Sequence, residues 1–270
     1  MTIVLRRNQS LGHPWRAGSL RKPSGRRKLL FGRVYEDSSV EQRAFASGGR
    51  VFCIASAGCT ALALSNEHDV VACDINPAQI EYVRRRFDQG TREVGSAEKI
   101  LSFMRWFAPV AGWSLAKRVR FLALDAPSAQ LDFWRNELDT TRFRFGLALL
   151  LSPLWLRGAY SSALLSSLPL SFDRVLRQRM ERCFALHPNR SNVYAHELLL
   201  GPARGRFEPA PASAAARIEL VVSDAADYLE HCAPASFAGF SLSNILDGAR
   251  QDYRERLFRA VRRAALPGAP

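Results

Sequence analysis

From Val51 to Ala55 every position is apolar, with β-branched and aromatic members, the pattern of a strand buried on both faces. Four small residues follow, Ser56, Ala57, Gly58 and Cys59, and predict a tight turn that a ligand can approach closely. Thr60 to Ser65 predict a short helix whose N-terminus points at that ligand, and Val70 to Cys73 a second strand closed by Asp74. After Ile75, Asn76 reads as a helix N-cap, Pro77 as the first helical residue and Gln79 as the residue completing a capping box. The α/β rhythm stops near residue 86. It resumes at Arg217 to Val222, a third strand followed by Ser223, Asp224, Ala225 and a helix. Phe237 to Ser241 give a fourth strand, and Gln251 to Ala265 a last helix.

Residues 87–216 carry helical periodicity and few strand signals. Ser96 to Phe107, Pro127 to Leu138, Thr141 to Leu151 and Phe172 to Leu186 are the expected helices, the last with an apolar stripe through Phe172, Val175, Leu176, Met180, Cys183 and Phe184. Gly201 to Ala216 read as a linker, and residues 1–28 as a basic flexible tail without periodicity. The expected fold is therefore α/β and Rossmann-like. A discontinuous ligand-binding domain, 29–86 plus 217–270, has strand order 3-2-1-4, and 87–216 form a large helical insertion.

The candidate chemistry gathers at the strand ends. A carboxylate at the tip of the second strand of a βαβ unit is placed to accept two hydrogen bonds from a ribose diol, and Asp74 holds that position. The preceding turn has one glycine rather than G-x-G-x-x-G, and no P-loop lysine. A nucleoside without pyrophosphate needs fewer glycines, which points to S-adenosylmethionine (SAM) rather than NAD or ATP. Ser56, Ala57, Gly58, Cys59, Asp74, Ile75, Asn76, Gln79, Asp224, Ala225, Ser243 and Asn244 form the expected binding set. Ser243 and Asn244, at the end of the fourth strand, suit a substrate amino acid group, or equally cap a helix beginning near Asp247.

With 270 residues and 47% hydrophobic content, the chain can bury a sizeable core. Its net charge is +13, and lysine occurs only at positions 22, 28, 99 and 117, so arginine dominates. Residues 1–33 hold nine basic side chains and no acid, suited to peripheral contact with an anionic membrane or to a solvated tail; without a nucleic-acid motif, no nucleic acid is expected. The apolar run Phe145 to Leu156 is too short to span a bilayer and reads as a core helix, a membrane-contacting patch with Trp155, Arg142, Arg144 and Arg157 being the alternative. Five cysteines without C-x-x-C or metal spacing, and the lack of a signal-peptide pattern, suggest a reducing cytoplasm and no metal site.

Five segments, FGRVYEDSSVE (31–41), VFCIASAGCTALAL (51–64), CDINPAQ (73–79), HPNRSNVYAHELLLG (187–201) and FSLSNILDG (240–248), resemble the bacterial family of SAM:diacylglycerol 3-amino-3-carboxypropyltransferases of betaine-lipid synthesis and its short relatives. The resemblance implies a SAM-dependent transferase fold, transfer of the aminocarboxypropyl arm to a hydroxyl acceptor such as diacylglycerol, and release of methylthioadenosine. It also implies that Asp224 meets the adenine amine, the competing role being a helix N-cap. Methyl transfer, or a truncated non-catalytic SAM-binding protein, are the alternatives. A hydroxyl acceptor needs a general base, and Glu36, Asp37, His187 and Tyr194 are the candidates, with Tyr35 in the same upstream segment. Asp37 or Ser38 equally suits the cap of a helix near Val40. Such a fold continues with further strands beyond the last helix, so a truncated sheet with an uncovered edge is expected at the C-terminal end.

Overall fold

The apolar runs pair into one parallel sheet in the computed structural model, which describes residues 3–5, 29–46, 48–152, 165, 171–202, 210–246 and 249–270. Its strands are β1 (Ile3–Leu5), β2 (Arg50–Ile54), β3 (Asp69–Asp74), β4 (Ile218–Val222) and β5 (Gly239–Ser241), in the order β1-β4-β3-β2-β5. The four expected strands thus lie in the order 3-2-1-4. The fifth strand departs from expectation: Ile3–Leu5, assigned to the flexible tail, pair in parallel with Leu220–Val222. The remaining basic tail residues up to 28 lie outside the described residues.

The described helices are α1 (Ser39–Ala44), α2 (Cys59–Leu64), α3 (Pro77–Gln89), α4 (Ser96–Phe107), α5 (Leu115–Leu122), α6 (Pro127–Phe133), α7 (Thr141–Leu150), α8 (Phe172–Leu186), α9 (Val193–Leu200), α10 (Ala212–Ala216), α11 (Ala225–Glu230) and α12 (Gln251–Ala264). They fall into two compact units, residues 1–97 with 206–270, and residues 98–205.

In the first unit, strand alternation sends side chains to two helical layers. Val51, Cys53, Val70, Ala72, Ile218 and Leu220 pack with α2 and α3 through Ala61, Leu64, Ile80, Val83 and Phe87. Phe52, Val71, Cys73 and Val221 pack on the opposite face with Ala226, Leu229, Leu257, Ala260 and Ala264 of α11 and α12. Burial pushes the Cys53 thiol up to about 12, so it stays neutral and packs as a small hydrophobe. Beyond α12 the chain turns back along β5: Leu266 N–H donates to Phe237 O at 2.8 Å and Phe240 N–H to Pro270 O at 3.0 Å. The β5 edge is therefore partly covered, against the expectation of an open one.

The second unit is helical throughout its described residues. Its core holds Trp113, Phe121, Trp134, Leu138, Phe143, Leu147, Phe184 and Leu199. The predicted helix over 127–138 runs as α6 and then a π-helical turn, Trp134–Leu138, which sets Trp134 fully into the core. The described part of the apolar run starting at Phe145 departs from the expected core helix: Leu147 is buried, whereas Phe145 is 70% exposed and Leu149 and Leu150 are exposed as well. Its continuation with Trp155 and Arg157 lies outside the described residues. Among the described residues no helix is long and apolar enough to cross a membrane.

The H-P-N segment at 187–189 has a structural use here. Gln130 Nε2 donates to Phe184 O at 2.6 Å and to His187 O at 2.9 Å, and its Oε1 accepts from Asn189 N at 2.7 Å. Asn189 Nδ2 in turn donates to Phe121 O at 3.1 Å. Both side chains are fully buried, so removing one strands carbonyl and amide groups without water. Gln130→Ala is expected to destabilise the chain by about 2–3 kcal/mol, read as a lowered thermal midpoint.

Candidate functional site

The sheet's switch point lies beside β2, because the chain leaves it for β3 on one side and returns as β5 on the other. In open α/β sheets such a point opens a crevice at the carboxyl ends of the strands. Here it is lined by Leu30, Phe31, Ile54, Ser56, Cys73, Asp74, Ile75, Asn76, Gln79, Ser223, Asp224, Ala225, Ser243, Asn244, Ile245 and Tyr253. A larger depression at the amino ends of the strands contains Arg50, Asp69, Arg217 and Glu219. Those four charges pair with one another, Arg50 with Glu219 at 2.7 Å and Arg217 with Asp69 at 3.1 Å, so they neutralise each other within the protein. The switch-point crevice is the candidate site.

Asp74 is held by two backbone amides. Ser56 N–H donates to Oδ2 at 3.2 Å and Asn76 N–H to Oδ1 at 2.9 Å. Ser56 adopts φ +45° in making this contact, an unusual backbone for a residue with a Cβ. Burial nonetheless outweighs the two donors and raises the Asp74 carboxyl to about 7. Among the described residues no lysine, arginine or histidine lines the crevice, although the chain as a whole is strongly basic.

Of the expected binding set, Ser56, Asp74, Ile75, Asn76, Gln79, Asp224, Ala225, Ser243 and Asn244 come together on this crevice. Ala57, Gly58 and Cys59 do not line it. Gly58 sits at φ +82°, and a Cβ there would stand 2.7 Å from Phe87 Cζ and 2.9 Å from Val83 Cγ1. The glycine admits helix α3, not a ligand. Cys59 lies beside Arg86, whose Nη1 is 3.0 Å from its Sγ.

Several side chains do a different job from the one expected. Asn76 caps α3 by accepting from Ala78 N at 3.1 Å, as predicted. Gln79 does not close a capping box; its Oε1 accepts from Leu30 N at 3.2 Å and its Nε2 donates to Phe31 O at 2.6 Å. With Tyr82 Oη donating to Gly32 O at 2.7 Å, it fixes the segment that supplies Leu30 and Phe31 to the crevice. Asp224 is the N-cap of α11, Oδ1 accepting from Ala226 N at 3.0 Å and Asp227 N at 3.2 Å, while Tyr253 Oη donates to Oδ2 at 2.8 Å. Ser243 and Asn244 do not cap α12, whose N-cap residue is Arg250.

Among the candidate bases, Glu36 reaches the crevice rim, where Ser243 Oγ donates to Oε1 at 2.6 Å. Ser241 Oγ donates likewise to Glu41 Oε1 at 2.8 Å, so two serines tie the upstream segment to β5. Asp37 opens α1, its Oδ1 accepting from Ser39 N at 3.0 Å, and Tyr35 is half-buried in the same segment. His187 and Tyr194 belong to the helical unit, both exposed, at the C-cap of α8 and on α9.

Seven lining residues are absent from the expected set: Leu30, Phe31, Ile54, Cys73, Ile245 and the two hydroxyl-bearing residues Ser223 and Tyr253. Tyr253 was legible as the first member of the α12 stripe Tyr253, Leu257, Ala260 and Ala264, which faces the sheet. The chain matches no family model, no curated protein and no solved structure.

Proposed function

We propose that the crevice binds SAM and that the chain is a SAM-dependent transferase. The observation that carries this reading is the charge of the lining: among the described residues it holds two carboxylates, Asp74 and Asp224, and no cation, in a protein of net charge +13. Phosphorylated cofactors such as NAD or ATP call for backbone nests or cationic side chains at their phosphates. A sulfonium nucleoside carries positive charge and no phosphate, and suits an acidic, glycine-poor crevice. Asp74 would take the ribose diol, with Ile54, Ile75 and Ile245 as apolar wall.

The family resemblance directs the chemistry to the aminocarboxypropyl arm. The acceptor hydroxyl oxygen forms a bond to the first carbon of that arm, the carbon–sulfur bond breaks, and its electron pair leaves with methylthioadenosine. The hydroxyl proton passes to a base, and the Glu36 carboxylate, which accepts from Ser243 Oγ at the crevice rim, would fill that role. A lipid acceptor such as diacylglycerol would bring the protein to a membrane surface from the cytoplasmic side, and the basic N-terminal segment would favour an anionic one.

The test is incubation of the full chain with labelled SAM and diacylglycerol vesicles. Methylthioadenosine together with labelled lipid is the expected result. S-adenosylhomocysteine instead would make the protein a methyltransferase, and no SAM binding by calorimetry would overturn both readings.

A further inference from the structure

The nucleoside reading leaves open which side chain recognises the base, and the strand ends bear on it. Asp224, the position the resemblance favours, already accepts from Ala226 N, Asp227 N and Tyr253 Oη. Burial and the neighbouring Asp224 carboxylate push the Tyr253 phenol up, so its proton remains available for that bond. Asp224 is 1% exposed and serves as a helix cap and an anchor for α12.

Ser223, its neighbour, is in the opposite condition. It is also 1% exposed and lines the crevice, yet its Oγ has no hydrogen-bond partner among the described residues. A buried hydroxyl without a partner costs about 1–3 kcal/mol and is rare in native structures. Its place in the sheet is defined by backbone contacts: Ser223 N–H donates to Asp74 O at 3.1 Å, and Cys73 Sγ donates to Ser223 O at 3.3 Å. Ser223 therefore stands one strand over from Asp74, about 4.8 Å across the sheet. A nucleoside with its ribose on Asp74 extends its base in that direction or toward β5. The β4 side holds the unsatisfied group.

Resting on the nucleoside reading, we propose that Ser223, not Asp224, is the base-recognising residue of this crevice, its Oγ accepting from the 6-amino group of adenine. Binding then supplies the partner that the hydroxyl lacks in the protein alone. Asp224 contributes by positioning α11 and Tyr253 around the base.

The experiment compares adenosine with purine riboside, which lacks the 6-amino group, by calorimetry on the full chain and on Ser223→Ala and Asp224→Asn. The wild-type protein should prefer adenosine by roughly tenfold, the effect of one buried hydrogen bond. Ser223→Ala should bind both nucleosides with the purine riboside affinity and melt no lower than wild type, because the lost hydroxyl had no partner. Asp224→Asn should melt lower, through the weakened cap, and keep the preference. A preference that survives Ser223→Ala overturns the assignment of Ser223 alone. Failure of the wild-type protein to bind either adenosine or SAM overturns the nucleoside reading beneath it.

Discussion

Asp74→Ala is expected to lower SAM affinity at least 100-fold, measured by calorimetry at pH 8. The proposed site gives this carboxylate two ribose hydroxyls, and a hydrogen bond to a charged group contributes about 1.5–3 kcal/mol. Truncation also leaves the Ser56 and Asn76 amides without their acceptor, so the turn and the start of α3 loosen together. Asp74→Asn separates the effects, since it keeps the side-chain volume and one acceptor oxygen while removing the charge. Its affinity should fall between those of wild type and Asp74→Ala. The elevated Asp74 carboxyl, at about 7, adds a pH signature. Ribose hydroxyls donate to the ionised form, so wild-type affinity should be full above pH 7 and fall as pH drops through it, approaching tenfold per unit. Stability of the ligand-free protein should move the other way. A carboxyl with a folded pKa above its unfolded value of about 3.9 binds more protons when folded. Stability is therefore lost as pH rises from about 4 through about 7. Asp74→Asn should abolish both trends, and an unaltered affinity–pH profile in that variant would remove Asp74 from the ligand.

How far the fold could be read in the chain depended on whether the signal was local. Continuous apolar runs bounded by turns gave β2 to β5, and Asn76-Pro77 placed the start of α3, since capping is decided within four residues. The stripe through Phe172, Met180 and Phe184 gave α8 in full. By contrast, Ile3–Leu5 is too short a run to stand out from a basic tail; it is a strand only because β4 offers an edge 215 residues or more away. Helix α9 has no comparably clear local signal, because Asn192, its cap, sits in a polar loop beside the conspicuous His187. For the site, residue types at strand tips located the crevice, whereas roles depended on long-range partners. Gln79 looked like a capping residue, yet its amide finds Leu30 and Phe31 across a sequence gap of 48–49 residues. Ser223 carries no local signal of its own, because only burial reveals that its hydroxyl has no partner among the described residues.

Gly58→Ala is the substitution expected to cost most in stability, about 2–4 kcal/mol, seen as a large drop in thermal midpoint. Two independent penalties add. A residue with a Cβ at φ +82° is strained by about 1 kcal/mol or more. The new methyl also stands 2.7 Å from Phe87 Cζ and 2.9 Å from Val83 Cγ1, inside the van der Waals limit of fully buried side chains that have no room to retreat. A double substitution separates the two. Phe87→Leu removes the nearer obstruction, so Gly58→Ala in that background should cost about 1–2 kcal/mol less than in wild type, leaving the backbone strain. Ligand affinity of the folded fraction should be nearly unchanged by Gly58→Ala, because Gly58 does not line the crevice. The opposite pattern, lost affinity with stability intact, would mean that the turn meets the ligand as its small residues first suggest. The steric contacts decide against that: Gly58 is needed so that α3 can press on the β2–α2 turn. That packing also holds Asn76 and Gln79, at the start of α3, against the crevice wall.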